Sequence, residues 1–165
     1  MRWRRNPRGK SLINQGTEGL TDALKKRVRL ANIAALFGAG VMAVTSPFDA
    51  QVAHPWMVVV DVVATFLFFG VILANRGGYV TASRITLVIG GNLLAVTNAV
   101  GLGRASGADL LFLGLLAVPF ALFDLRERGP LLAGVLLTLS GLAACSLDLL
   151  SALGPIPSPG ALRVY

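Results

Sequence analysis

Residues 103–128 read GRASGADLLFLGLLAVPFALFDLRER, and the reading of this stretch decides the fold. Arg104 and Asp109 lie in a short polar lead, 110–123 is an uncharged apolar run, and the run stops at Asp124, Arg126, Glu127 and Arg128. A segment that is apolar all round, with charges only at its ends, belongs in lipid. There its backbone groups must be satisfied within the segment, which requires a helix.

Working outward, the same pattern recurs. Apolar segments lie near 28–46, 56–74, 84–102, 108–124 and 130–150, each about the length needed to cross a hydrocarbon core of roughly 30 Å. The predicted fold is therefore all-α, a polytopic transmembrane bundle of five spans. No alternating pattern suggests a barrel. With 55% hydrophobic and only 14% charged residues, the 165-residue chain is too apolar for an ordinary soluble domain. The breaks carry turn chemistry: Ser46-Pro47, His54-Pro55, Asn75-Arg76-Gly77-Gly78, residues 104–107 and Gly129-Pro130. Pro130 suits the first turn of a helix, and Pro119 predicts a kink within the fourth span.

Charge is concentrated at one end. Nine of the fifteen Lys and Arg precede residue 30, from Arg2 to Arg29. A basic tail can serve nucleic acid, but no nucleic-acid module follows it. Beside a membrane span it is expected to face anionic lipid from the cytoplasm. With the N-terminus inside, thirteen of the fifteen basic residues fall on cytoplasmic segments, leaving Arg104 and Arg163 outside. Residues 1–20 are expected to form a disordered basic tail, 21–153 the bundle, and 154–165 a Pro-rich extracytoplasmic connector that reads as leading toward a sixth span. The first apolar run begins too far behind the basic residues, and is too long, for a cleavable signal. The single cysteine, Cys145, excludes an internal disulfide and a CxxC metal site. One histidine among scattered carboxylates is a weak metal signal, and neither a metal nor a cofactor is expected.

Polar residues inside the spans are the functional candidates, because ionisable groups are costly in a bilayer. Asp61 in the second span, Asn98 near the outer end of the third and Asp148 near the outer end of the fifth share the outer half. They lie beneath loops that supply His54, Arg104 and Asp109. These six residues form the candidate ligand or proton site, a small polar chamber open to the outside. His54 would titrate near neutral pH beside either Asp61 or Asp109, or serve as a plain loop residue. Helical spacing places Gly134, Thr138, Gly141, Cys145 and Asp148 on one face of the fifth span. Asp61 shares a face with Thr65, and Gly91 with Ala95 and Asn98. Ala31, Ala35, Ala39 and Ala43 make a small stripe suited to close packing. The competing reading is structural: polar residues hold the helices together through interhelical hydrogen bonds worth about 0.6–2 kcal/mol each. It is preferred for Asn92, Thr97 and Asn98. For Asp61 both readings stay open.

The order of pieces resembles a known module. The opening of the first span (LKKRVRLANIAALFG), the hairpin ANRGGYVTASRITL, and Gly103-Arg104, Ser106-Gly107, Pro119-Phe120, Phe123-Asp124 and Arg126-Glu127-Arg128 are similar to the multi-helix N-terminal membrane module of bacterial sensor histidine kinases and class III adenylate or guanylate cyclases. The resemblance implies a six-span bundle in the bacterial inner membrane, working as a homodimer and regulating a cytoplasmic output domain. No phospho-acceptor block, ATP lid or metal-binding aspartate pair is present in this chain, so the resemblance carries no enzymatic activity onto it. A small transporter or channel subunit using Asp61 is the alternative, weakened by the lack of an internal repeat and of charge in the inner half of any span. A structural membrane subunit without a ligand is the third reading.

Overall fold

The computed structural model describes residues 11–52, 55–102, 107 and 110–147. Every regular element among them is helical: a 3₁₀ turn at Leu12–Asn14, then α1 (Asp22–Val52), α2 (Pro55–Arg76), α3 (Val80–Leu102), α4 (Leu110–Leu122) and α5 (Arg128–Ser146). The all-α bundle expected from the apolar segments is the observed fold. Four helices are long and apolar enough to cross a membrane, so the chain is a multi-pass membrane protein. The remaining helix, α4, has 13 residues, about 20 Å at 1.5 Å per residue. That is short of the roughly 30 Å hydrocarbon core.

Two helical hairpins, α1–α2 and α4–α5, are joined through α3, which packs against all four other helices. The first hairpin is closed by small side chains. Ala31, Ala35 and Ala39 are buried as the stripe predicts, whereas Met42 takes the next inward position and Ala43 is exposed. A Cβ added at Gly38 would lie 2.8 Å from the Phe68 ring, so this glycine is where α2 comes closest. In the second hairpin, the predicted small face of α5 receives α4. Pro119 fills the space at Gly134, and the Phe112 ring covers Gly141. Thr138 and Cys145 are buried on the same face. Phe37, Phe66, Leu93, Leu110 and Leu136 point outward, as lipid-facing positions do.

The α2–α3 turn shows how sequence becomes geometry. Gly78 has φ +88°, Tyr79 N–H donates to Ala74 O (2.9 Å) and Gly78 N–H to Asn75 O (3.0 Å). This is a Schellman ending, in which a left-handed glycine lets the last carbonyls of α2 be satisfied.

One expectation needs revision. Residues 11–20, expected to belong to a disordered tail, fold back as a strap on the bundle. Asn32 Nδ2 donates to Ile13 O and Gln15 O, both at 3.0 Å. Gly16 has φ +74° and lies so close to α2 that a Cβ would be 2.0 Å from Asn75 O. A buried asparagine supplies the partners that composition alone does not reveal. Residues 1–10 and 148–165 lie outside the described residues.

Candidate functional site

Apart from Asn92 and Thr138, which bond to carbonyls of their own helices in the middle of the bundle, the buried polar side chains fall into two groups at opposite ends. At the basic end, where α1 begins, α2 meets α3 and α4 meets α5, they are densely interlinked. Asn75 Nδ2 donates to Asn32 Oδ1 at 2.7 Å, and Ser83 Oγ donates to Asn75 Oδ1. All three residues are fully buried. Next to them Arg84, 1% exposed, forks onto Glu127: Nη2 to Oε1 at 2.9 Å and Nη1 to Oε2 at 3.0 Å. Its other donors reach Leu122 O (2.8 Å), Val80 O (3.3 Å) and Thr81 Oγ1 (3.3 Å), so all five guanidinium hydrogens have acceptors. The Leu122 carbonyl is one that the end of α4 would otherwise leave unpaired. The guanidinium also lies 5.1 Å from the Phe123 ring centroid, within cation–π range.

The α4–α5 turn is shaped around this pair. Glu127 Oε2 accepts from Asp124 N–H (2.9 Å), and Asp124 Oδ1 accepts from Arg126 N–H (3.0 Å). Asp124 Oδ2 accepts from Arg27 Nη2 of α1 at 2.8 Å. The Arg84 bonds hold the Glu127 carboxyl below its ordinary range. The Arg126 amide, and then the Arg27 guanidinium, do the same for Asp124. The charged punctuation that closes the fourth segment is thus a lock that ties α1, α3 and α4–α5 together.

At the far end the picture is sparse. Asp61 is 4% exposed, and its Oδ2 has no hydrogen-bond partner among the described residues. The carboxyl of Asp49, on α1 beyond Pro47, is its neighbouring charged group. Thr65 Oγ1 donates to the Asp61 backbone carbonyl at 2.8 Å, so the predicted shared face of these residues is real. Beside the pair, a side-opening groove of about 300 Å³ runs between α1 and α2, lined by Met42, Ser46, Pro47, Thr65 and Phe66 among others.

Of the six candidate residues, Asp61 and Asn98 are described. Asn98 Nδ2 donates to Leu94 O of its own helix. His54, Arg104, Asp109 and Asp148 lie outside the described residues, and so does the chamber that they would complete. Asn92 and Thr97 likewise bond within α3, to Val88 O and Leu93 O. Among the described residues, the interhelical hydrogen bonds expected of Asn92, Thr97 and Asn98 are not made. A short polar side chain in a helix finds the carbonyl four residues back before it finds a neighbour. Among the described residues, the side-chain bonds that do cross between helices or to the α4–α5 turn belong to Asn32, Asn75, Ser83, Arg84, Glu127, Arg27 and Asp124.

Sequence reading passed over those residues. Arg84 counts toward orientation and Asn75 toward a turn, yet both sit on faces continuous with buried positions. Asn32 lies on the Val28–Ala35–Ala39 face, and Arg84 on the Leu87–Val88–Gly91 face. A polar residue in register with an apolar face is the signal that finds them. Arg84 also corrects the expectation that no charge enters the inner part of a span, although Glu127 neutralises it. Asp49 was likewise missed, for it lies beyond the expected end of the first span.

Comparison with protein-family models, with curated proteins and with solved structures finds no match.

Proposed function

We propose that this protein is the membrane-embedded sensor or regulatory module of a bacterial signalling protein, without catalytic chemistry of its own. The observation that supports this reading is the division of the polar groups between a locked end and a loosely satisfied end. The core between them is built from apolar side chains including Ala35, Ala39, Phe68, Val71, Leu87 and Val88, and its buried Asn92 and Thr138 bond to carbonyls of their own helices. An input at the Asp61 end shifts the packing of α1 against α2. The lock at the basic end passes that shift as one unit toward a cytoplasmic output domain of the kinase or cyclase type, in a homodimer of the inner membrane with a cytoplasmic N-terminus. Such coupling requires a signal that binds two packings of the bundle differently. Sequencing the genomic DNA across and beyond the Tyr165 codon tests the reading. An in-frame or frameshifted continuation into a further span and a kinase or cyclase domain is the expected result. A stop followed by an unrelated gene sinks it.

A second reading, a small transporter or channel subunit, draws support from the buried, unpartnered Oδ2 of Asp61. It requires cation or proton flux in vesicles that Asp61→Asn abolishes.

A further inference from the structure

We infer that Asp49 and Asp61 form a proton-binding site in which one carboxyl donates its O–H to the carboxylate of the other, clasping the last turns of α1 onto α2. The inference goes beyond the functional readings above and rests on neither.

Register carries the first part of the argument. The α1–α2 hairpin pairs Asn32 with Asn75 through a hydrogen bond, Gly38 with the Phe68 ring, and Ser46 with Thr65 across the groove. Continued in the same antiparallel sense, the hairpin brings Asp49 to within about one turn of Asp61, whose neighbouring charged group is the Asp49 carboxyl.

Charge carries the second. No Lys or Arg occurs between residues 30 and 75, nor in 85–102, so α1, α2 and α3 bring no cation to this end. Asp49 is the sole ionisable side chain of α1 beyond Arg29, and the other ionisable residues of α2 and α3, Arg76 and Arg84, lie at the basic end. The described part of α4 has no ionisable residue, and α5 brings only Arg128, at the basic end, and the Cys145 thiol. His54, Arg104, Asp109 and Asp148 lie outside the described residues. Two carboxylates in contact without a cation repel, and sharing one proton removes the repulsion while giving each carboxyl a hydrogen bond. Asp61, 4% exposed, cannot turn to water for that partner. Asp49, half-buried beyond the Pro47 break, can. Release of the proton to water leaves two adjacent carboxylates, and the α1 segment beyond Pro47 is the part free to swing away, widening the groove beside Ser46 and Thr65.

The test is an infrared pH titration of the full chain in phosphatidylcholine–phosphatidylglycerol vesicles, from mildly acidic to mildly alkaline, in potassium and in sodium buffer. The expected result is a carboxylic-acid C=O band that shifts with isotopically labelled aspartate, disappears as pH rises and is the same in both salts. Asp61→Asn removes the band. Asp49→Asn moves its frequency, because the O–H then donates to an amide instead of a carboxylate. Three results overturn the proposal: no such band in the wild-type chain at any pH, a band that survives in Asp61→Asn, or a band that sodium abolishes at constant pH, which identifies a metal-cation site. The labelled wild-type titration decides the matter even if a variant does not fold.

Discussion

The two ends of the bundle treat polar groups in opposite ways. At the basic end a fully buried guanidinium has every donor accepted, and three buried polar side chains hydrogen-bond one another across three helices. At the far end a carboxyl that is almost as deeply buried leaves one oxygen without a partner among the described residues and has a second carboxyl, Asp49, for its neighbour. Both arrangements are costly to place beside lipid. The first is stabilised by its own geometry, because a bidentate Arg–carboxylate pair with its remaining donors satisfied offsets desolvation. The second has no such compensation in the described structure, and residues that are poor for stability persist where they serve something else. The comparison teaches that burial alone does not mark a functional residue in this protein.

The largest effect should come from breaking the lock. Arg84→Ala leaves Glu127 without its partner and the Leu122 carbonyl without a donor, and is expected to cost about 3–5 kcal/mol. Thermal or denaturant unfolding in detergent measures it. Arg84→Lys should recover little, since an ammonium cannot fork onto both Glu127 oxygens and reach Leu122 as well. A loss under about 1 kcal/mol, the range of surface pairs, breaks the comparison at its stronger side. Next in size is Asn75→Ala, which leaves buried Asn32 Oδ1 without its donor and turns the Ser83 hydroxyl onto the Val80 carbonyl alone. Removing one partner of a buried hydrogen bond costs about 1–3 kcal/mol. It should also loosen the strap, because the Asn75 amide fixes the orientation in which Asn32 Nδ2 reaches Ile13 O and Gln15 O. Limited proteolysis between residues 11 and 20 reads the loosening directly.

The bundle was legible in the sequence because lipid imposes a single rule on every span, namely length and apolarity, and α1, α2, α3 and α5 obey it. The small faces were legible for a related reason. Helical spacing alone lines up Gly134, Thr138, Gly141 and Cys145, and α4 packs where they are. The shortness of α4 was legible in the 14 residues of the uncharged run 110–123; what was not legible is its end at Leu122, whose carbonyl the Arg84 guanidinium takes. The lock escaped notice for the same reason as the strap. Arg84 and Glu127 are 43 residues apart, and Asn32 with Asn75 likewise. No local pattern announces a pair that only the topology brings together. At the far end Asp61 was found by its chemistry, whereas Asp49 was hidden beyond a proline that reads as the end of a span but lies inside α1.

Acid should loosen the two ends differently. Glu127 is held below its ordinary value of 4.5, chiefly by the Arg84 hydrogen bonds. A carboxyl with a lower pKa when folded contributes stability that is fully present above its unfolded value and is lost as pH falls through the folded one. Asp124 follows the same sign through its bonds to the Arg126 amide and to Arg27. The basic end is therefore expected to keep its protection above about pH 4.5 and to lose it progressively below. The effect should be smaller than that of Arg84→Ala, because the Glu127 side chain is 32% exposed and partly screened by solvent. Amide exchange at residues 122–127 as a function of pH checks it. Protection that instead rises on acidification would reverse the assignment.

The smallest expected change in stability comes from the substitution that should matter most for activity. Asp61→Leu removes a buried carboxyl with an unpartnered oxygen and fills its place with a side chain of similar size. Replacing buried charged groups by apolar residues of matching volume is often neutral or stabilising. Asp49 is left without a neighbour, but it is half-buried beyond Pro47 and can turn to water. Unfolding in detergent should thus show a change within about 1 kcal/mol of zero, of either sign. Whatever response the far end supports, signalling or flux, should be lost together with the carboxyl. That pairing of outcomes is what separates a functional carboxyl from a structural one. If Asp61→Leu instead costs as much as Arg84→Ala, then Asp61 is satisfied by groups in the loops at 53–54 or 103–109. The two ends would then be two versions of the same lock, and the search for an input site would have to begin elsewhere in the bundle.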